Sequence, residues 1–280
     1  MNTPALIIVL YHPTSDDVEQ VRRLAGQWPG CIVDNSEEPC FGTPDVGRMQ
    51  YVCNGQNEGI AAAQAVGIRK MRERKDISHL VFLDQDTRIP TDYPQLIADE
   101  YERIKTSTKQ LALLGPTLRN LRSGEEYRSV VHRDHPTADD FIPRRDVIST
   151  GCCIGIDVLN DVGEPEKALF IDYVDFEWCW RAEAKHYVCG ITPHITIGHQ
   201  VGQRELKIGS YRVIISRPGR YYYQYRNYLW LLRRRYVPLQ WKLATGIKQL
   251  ARLVYFPLLV RDGGHCWTYM WRGIRDGLRP

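Results

Sequence analysis

The 280-residue sequence has no run of about 18 apolar residues, no internal repeat and no low-complexity segment. The first absence excludes a spanning helix. The others leave an ordinary globular chain, in keeping with 43% hydrophobic and 25% charged residues. The opening MNTPALIIVLYHP lacks a basic n-region, and its apolar run is too short for a signal peptide. None of the eight cysteines (Cys31, Cys40, Cys53, Cys152, Cys153, Cys179, Cys189, Cys266) forms a Cys-x-x-Cys pair, and no zinc spacing appears. Without an export signal they are expected to be reduced, mostly buried thiols in a cytoplasmic protein. Acidic residues are scarce at one end. Residues 204–280 hold three (Glu205, Asp262, Asp276) against 16 Lys and Arg, whereas residues 1–203 carry net charge −9. The same tail holds 14 of the 29 aromatics. An acidic body with a basic, aromatic tail suggests chemistry in the first and attachment in the second.

Within the body, Leu80-Val81-Phe82-Leu83 runs straight into Asp84-Gln85-Asp86-Thr87. The apolar run reads as a buried strand, and the C-terminal ends of strands are where open α/β sheets bind ligands. Residues i and i+2 of a strand share a side, so Asp84 and Asp86 can converge on one ligand. Converging carboxylates repel unless a cation lies between them, and Mg²⁺ or Mn²⁺ commonly bridges carboxylates to phosphates. Taken alone, Asp-x-Asp reads more simply as a strand followed by an acidic, solvated turn.

The surrounding pattern alternates. Strands are expected at Ala5–Leu10, Cys31–Val33, Gln50–Cys53, Leu80–Leu83 and Leu111–Gly115, and helices at Asp16–Trp28, Ile60–Arg72 and Pro94–Lys105. That order predicts an α/β domain with a largely parallel sheet. Gly124–Pro143 reads as an irregular excursion, and Val147–Ile156 returns to the core. In the tail, Tyr221–Val237 and Pro238–Phe256 read as helices. Leu239, Leu243, Ile247, Leu250 and Val254 make one apolar face of the second, opposite Lys242, Lys248 and Arg252. That face either packs on the body or lies on an anionic membrane surface. No RNA or DNA module is visible, and no nucleic-acid partner is expected.

Two further elements carry chemistry. The segment Phe170 to Arg181 sets Asp172, Asp175 and Glu177 among aromatic residues, where desolvation raises a carboxylate's pKa and suits it to proton abstraction near neutrality. If it opens a helix, Asp172 and Asp175 share a face, although acids at a helix N-terminus are also favoured by the dipole alone. Ile195 to Gly198 reads as a short strand ending in His199.

In this order the motifs resemble those of family 2 glycosyltransferases of the GT-A fold, over residues 5–205. The match comprises Tyr11-His12-Pro13, Asp34-Asn35, Asn57-Glu58-Gly59 with the Ala-rich segment after it, Asp84-Gln85-Asp86, Thr150-Gly151, the Asp172–Glu177 block, and His199 with Gly202 behind it. A narrower resemblance, to bacterial dTDP-rhamnosyltransferases, is carried by the residues around Asp84 and Asp172 and by Tyr221-Tyr222-Tyr223 with Arg226-Asn227. The resemblance implies a GT-A catalytic domain at 1–205 and a helical, membrane-associating region at 206–280. It implies that Tyr11, His12, Pro13, Asp34, Asn35, Asn57, Gly59, Asp84 and Gln85 line the donor pocket. Asp86 and His199 would ligate Mg²⁺ or Mn²⁺, and Asp175 would be the general base. Thr150, Gly151, Asp172, Glu177 and Trp178 would lie on the acceptor side. The implied reaction is an inverting transfer of L-rhamnose from dTDP-L-rhamnose to a glycan or lipid-linked saccharide, in cell-surface polysaccharide synthesis at the cytoplasmic face of the plasma membrane. UDP-galactofuranose and UDP-N-acetylglucosamine are alternative donors. The chain departs from the family at Val174-Asp175, where Glu-Asp is usual, and at Glu177, which replaces a common Asp.

Three rivals fit less well. A haloacid-dehalogenase-type phosphatase needs Thr or Val two residues after the second Asp, where Arg88 stands. A sugar-phosphate nucleotidyltransferase needs a Gly-rich basic loop after the first strand, and Tyr11 to Asp16 is neither. A non-catalytic nucleotide-sugar-binding protein would not need both acidic motifs and the histidine.

Overall fold

The computed structural model describes residues 3–43, 45–120, 124, 126, 135–199, 204–208, 211–261 and 263–279, without the side chains of 120, 199, 204–208 and 211–214. In chain order the elements are β1 (Pro4–Leu10), α1 (Ser15–Ala25), β2 (Gly30–Asp34), β3 (Asp45–Val46), β4 (Met49–Cys53), α2 (Gly59–Arg72), β5 (His79–Asp84), α3 (Tyr93–Ser107) and β6 (Leu111–Asn120). There follow β7 (Ile142–Pro143), β8 (Cys153–Gly155), α4 (Ile156–Val162), a 3₁₀ turn (Lys167–Leu169), α5 (Val174–Glu183), β9 (Val188–His199), β10 (Arg204–Ile208) and β11 (Tyr211–Ile215). Three helices close the chain: α6 (Pro218–Leu232), α7 (Leu239–Leu259) and α8 (Gly263–Leu278).

The main sheet has the order β3-β4-β2-β1-β5-β8-β6-β9-β7. The half formed by β4, β2, β1 and β5 is parallel, as the sequence pattern predicts. Beyond it the expectation holds less well, because β8 runs antiparallel to both β5 and β6 before β6 and β9 pair in parallel. Alternate residues of β1 feed two cores. Ala5, Ile7 and Val9 face α2, α4 and α5, whereas Leu6, Ile8 and Leu10 face α1 and α3. Thr14 caps α1 in a reciprocal box with Asp17. The chain enters α2 through Gly59, at φ +83°, where a Cβ would lie 2.6 Å from the Phe170 ring and carbonyl. Glycine is required there on both counts.

The tail departs from the sequence reading. A hairpin, β10 and β11, precedes α6, and α8 is a third helix that the pattern did not show. The helices are joined to the body rather than appended to it. Val174 and Trp180 of α5 pack with Leu231 of α6 and Trp241 of α7, and Tyr221, Phe256 and Met270 make a separate core among the three helices. Helix α7 is inverted relative to the packing alternative. Leu239, Leu243, Ile247, Leu250, Val254, Leu258 and Leu259 are each 58–76% exposed. Gln249, Arg252 and Phe256 face inward. Among the described residues no helix is long and apolar enough to cross a membrane. All eight cysteines are free thiols, and six are buried.

Candidate active site

Parallel strands deliver the site at their C-terminal ends. Strand β1 ends at Tyr11-His12-Pro13, β2 at Asp34-Asn35, and β5 at Asp84, Gln85 and Asp86. Gln85 stitches two of these ends together. Its Oε1 accepts the Tyr11 amide at 2.7 Å, and its Nε2 donates to the Tyr11 carbonyl at 3.2 Å. Its amide is therefore occupied, and it positions the exposed Tyr11 rather than offering a free group to a donor. The His12 amide donates to Ser36 Oγ, which joins the β1 end to the β2 end.

Asp34 and Asn35, expected against a base and ribose, are fully buried. Asp34 accepts from the Ser36 amide, the Cys40 amide and Tyr51 Oη at 2.9, 3.1 and 2.6 Å. Burial raises its pKa, but these donors outweigh that and leave it below the usual carboxylate range. Asn35 spans Gly59 O and Asn54 Nδ2. Both residues brace the loops that line the crevice. Asn57 stays exposed, its Oδ1 accepting the Gly59 amide at 3.0 Å.

The turn after β5 is held from below. Thr150 Oγ1 accepts the Asp84 amide at 3.1 Å and pairs with Thr87 Oγ1 at 2.7 Å, and both threonines are fully buried. Gly151, at φ +79°, packs so closely that a Cβ would lie within 3 Å of Ile197, Tyr93 and Pro116. Thr150 and Gly151, expected on the acceptor side, thus shape the acidic turn. Glu177 and Trp178, also expected on the acceptor side, are likewise held within the fold. Glu177 is buried, paired with Arg181 at 3.0 Å and accepting Tyr236 Oη at 2.7 Å, while Trp178 Nε1 donates to Gly163 O.

The carboxylates that remain at the crevice are Asp84, Asp86, Asp172 and Asp175. Burial, then the negative charges of Asp175 and Asp86, push Asp84 up to about 7. Asp175, in the first turn of α5, is also raised, chiefly by burial. The amide and hydroxyl of Ser149 oppose that by favouring its ionised form. Asp172 does not share a helical face with Asp175. It stands before α5 at φ +66°, in a segment where Phe170 (+64°) and Tyr173 (+66°) are also left-handed. Each such non-glycine residue costs about 1–3 kcal/mol and persists only where its surroundings impose it.

The imposing groups come from α6, which sequence reasoning had assigned to attachment. Arg220 donates to Asp172 through Nη2 and Nε at 2.6 and 3.2 Å, and its charge lowers the pKa of both Asp84 and Asp175. Gln249 of α7 donates to Tyr173 Oη at 3.2 Å. One signal in the sequence could have exposed this role. Gln224 and Asn227 stand on the same helical face as the buried Tyr221 and Tyr225, and polar residues on an apolar face need partners.

The acidic cluster fits a hard divalent cation. Asp86 supplies exposed carboxylate oxygens, and Asp84 beside it is raised first by burial and then by the charges of Asp175 and Asp86. Among the described residues no group of three or more His, Cys, Asp or Glu is gathered for a metal. Mg²⁺ needs none, since it takes one or two carboxylates and completes its shell with phosphate and water. An antiparallel bridge from Arg88 to Gly198 brings the end of β9, and with it the main chain of His199, beside the acidic turn. The His199 side chain and Gly202 lie outside the described residues.

No family model matches the chain. A curated relative does: dTDP-rhamnosyl transferase RfbF of Shigella flexneri is 32% identical over 247 residues, 84% of this chain and 80% of that one. Among solved structures, S. aureus TarS 1-349 is similar at TM-score 0.57 and 12% identity, covering 99% of this chain and 81% of that chain. GalNAc-T7, solved with UDP, GalNAc and Mn²⁺, is similar at TM-score 0.51 and 14% identity, over 71% of this chain and 44% of that one. The solved structures establish the GT-A fold, and the curated relative establishes the family. With its acidic turn at the end of β5 and Asp175 in the first turn of α5, the chain belongs to the dTDP-rhamnosyl transferase family of GT-A glycosyltransferases.

Proposed function

We propose that the protein transfers L-rhamnose from dTDP-L-rhamnose to a hydroxyl of a glycan or lipid-linked saccharide, with inversion, in cell-surface polysaccharide synthesis. The observation that carries this is the 32% identity to a dTDP-rhamnosyl transferase, together with acidic groups on two separate elements facing one crevice. Asp86, with His199, would hold Mg²⁺ or Mn²⁺ against the donor diphosphate, and Asp84 beside it would face the donor. When bound, the ion supplies Lewis-acid stabilisation of the departing nucleotide. The chain's own residues do the remainder. The exposed Tyr11-His12-Pro13 segment and Asn57 line the donor side. Asp175 takes the acceptor hydroxyl proton as that oxygen attacks the anomeric carbon. Its raised pKa makes it a stronger base, while Ser149 and Arg220 favour its ionised form. One displacement inverts the anomeric centre and needs no protein nucleophile.

The exposed apolar face of α7 supports a place at an anionic membrane surface, where lipid-linked acceptors reside. The net charge of residues 204–280 is +13, and each basic residue near such a surface contributes about 1 kcal/mol. Each apolar side chain removed from water adds about 1.5–3 kcal/mol.

The test is a panel of dTDP-, UDP- and GDP-sugars with Mg²⁺, Mn²⁺ or EDTA, read as nucleoside diphosphate released. Release from dTDP-L-rhamnose alone, abolished by EDTA, is expected. Release from UDP-galactofuranose or UDP-N-acetylglucosamine instead would replace the donor, and EDTA-insensitive release would remove the metal. Asp86→Ala should lose the metal-dependent part of dTDP affinity.

A further inference from the structure

The turn from Phe170 to Tyr173 is held by a residue far away in sequence. Asn227 of α6 is fully buried, and its Nδ2 donates to the carbonyls of Leu169, Ile171 and Asp172 at 2.8, 2.8 and 3.1 Å. Its Oδ1 accepts from Arg226 Nη2 and Nε at 2.9 and 3.0 Å. Arg226 in turn donates to Ala168 O at 2.6 Å. Above them the Phe170 ring lies flat on Tyr223, with centroids 4.6 Å apart and planes 7° apart. Local backbone bonds, from the Phe170 amide to Lys167 O and the Ile171 amide to Leu169 O, stop short of Asp172. The residue before α5 is Tyr173, left-handed, and no side chain caps the helix. Without Asn227 the Leu169, Ile171 and Asp172 carbonyls would lose a donor, and a segment with three left-handed non-glycine residues would be free to relax.

From this geometry we infer that Asn227 is a positioning residue for the transfer reaction. Its amide fixes the strained turn from which α5 presents Asp175 and against which Arg220 holds Asp172. The inference rests on the reading of Asp175 as the base. It also gives α6 a part in catalysis that the division at residue 205 did not allow.

Asn227→Asp keeps the shape and replaces the donor with an acceptor facing three carbonyls. With dTDP-L-rhamnose and Mn²⁺, kcat for dTDP release should fall at least tenfold, while KM and dTDP affinity stay within twofold. Amide hydrogen exchange should quicken across residues 168–175 and stay unchanged in β1 and β5. A kcat within twofold of the parent overturns the inference. So does exchange that rises in β1 and β5 together with α5, the mark of a merely structural role. If Asn227→Asp gives no soluble protein, Asn227→Ser retains one donor and should show the same split at three- to tenfold. A Ser variant as active as the parent also overturns it. Asp175→Asn is measured alongside. If that variant keeps turnover the base assignment fails, and exchange at 168–175 in the Asn227 variant still decides whether Asn227 holds the turn.

Discussion

Asp84 and Asp86 stand two residues apart and do different work. Asp86 is exposed at the tip of the turn, while Asp84 sits lower, anchored through its amide to the buried Thr150. With no cation bound, Asp84 titrates at about 7, against an ordinary carboxylate value of 3.8. A carboxyl whose pKa is raised on folding keeps its proton in the folded state where the unfolded chain has released it. Its contribution is therefore full below about pH 4 and is lost as the pH rises to about 7. In EDTA, thermal stability should fall between pH 5 and pH 8, and Asp84→Asn should flatten that slope. Mn²⁺ should restore more stability at pH 8 than at pH 5.5, because ionised Asp84 is the form that favours the ion. An unchanged slope in Asp84→Asn would show that another group carries the dependence.

At the scale of elements, sequence periodicity placed β1, β2, β4, β5, α1, α2 and α3 within a few residues of where they fold. Each is long or strongly patterned and buries one continuous face. The site was legible where chemistry lies at strand ends, as with Asp84 and Asp86. It was illegible where a polar residue serves as a brace. Asp34, Asn35, Thr150, Gly151, Glu177 and Trp178 occupy the right neighbourhoods, but only burial and hydrogen-bond partners show that they hold the walls. Arg220 and Asn227 were hidden for another reason: they act across about 50 residues of sequence. Gly59 tests the bracing of α2. Gly59→Ala meets the Phe170 ring and an unfavourable φ together, so a loss of about 2–4 kcal/mol is expected in chemical denaturation. A loss under 0.5 kcal/mol would mean that the Phe170 turn yields easily. Helix α7 is tested differently. Leu243 and Ile247 are well exposed, so Leu243→Glu with Ile247→Glu should shift the melting temperature by less than about 2 °C. The same pair should abolish co-sedimentation with vesicles rich in phosphatidylglycerol. Undiminished sedimentation would place attachment elsewhere.

For the molecule as a whole, the tail helices are packed into the body. Helices α6 and α7 pack against α5, and α6 reaches the acidic crevice through Arg220. Deleting residues 238–280 would remove Trp241 and Gln249 as well as the exposed leucines, confounding attachment with the integrity of the site. The surface pair in α7 separates the two. The apolar outer face of α7 and the polar contacts on its inner face place the surface that would meet lipid on the same helices that brace the catalytic turn.

The central claim is that this crevice moves a sugar from dTDP-L-rhamnose with Asp175 as its base. The most direct test compares the parent with Asp175→Asn, using dTDP-L-rhamnose and Mn²⁺, and measures dTDP release and dTDP affinity in the same preparations. Turnover by the parent is expected, with a fall of about 10²-fold or more in the variant and dTDP affinity unchanged within a few fold. Near-parental turnover by Asp175→Asn would contradict it.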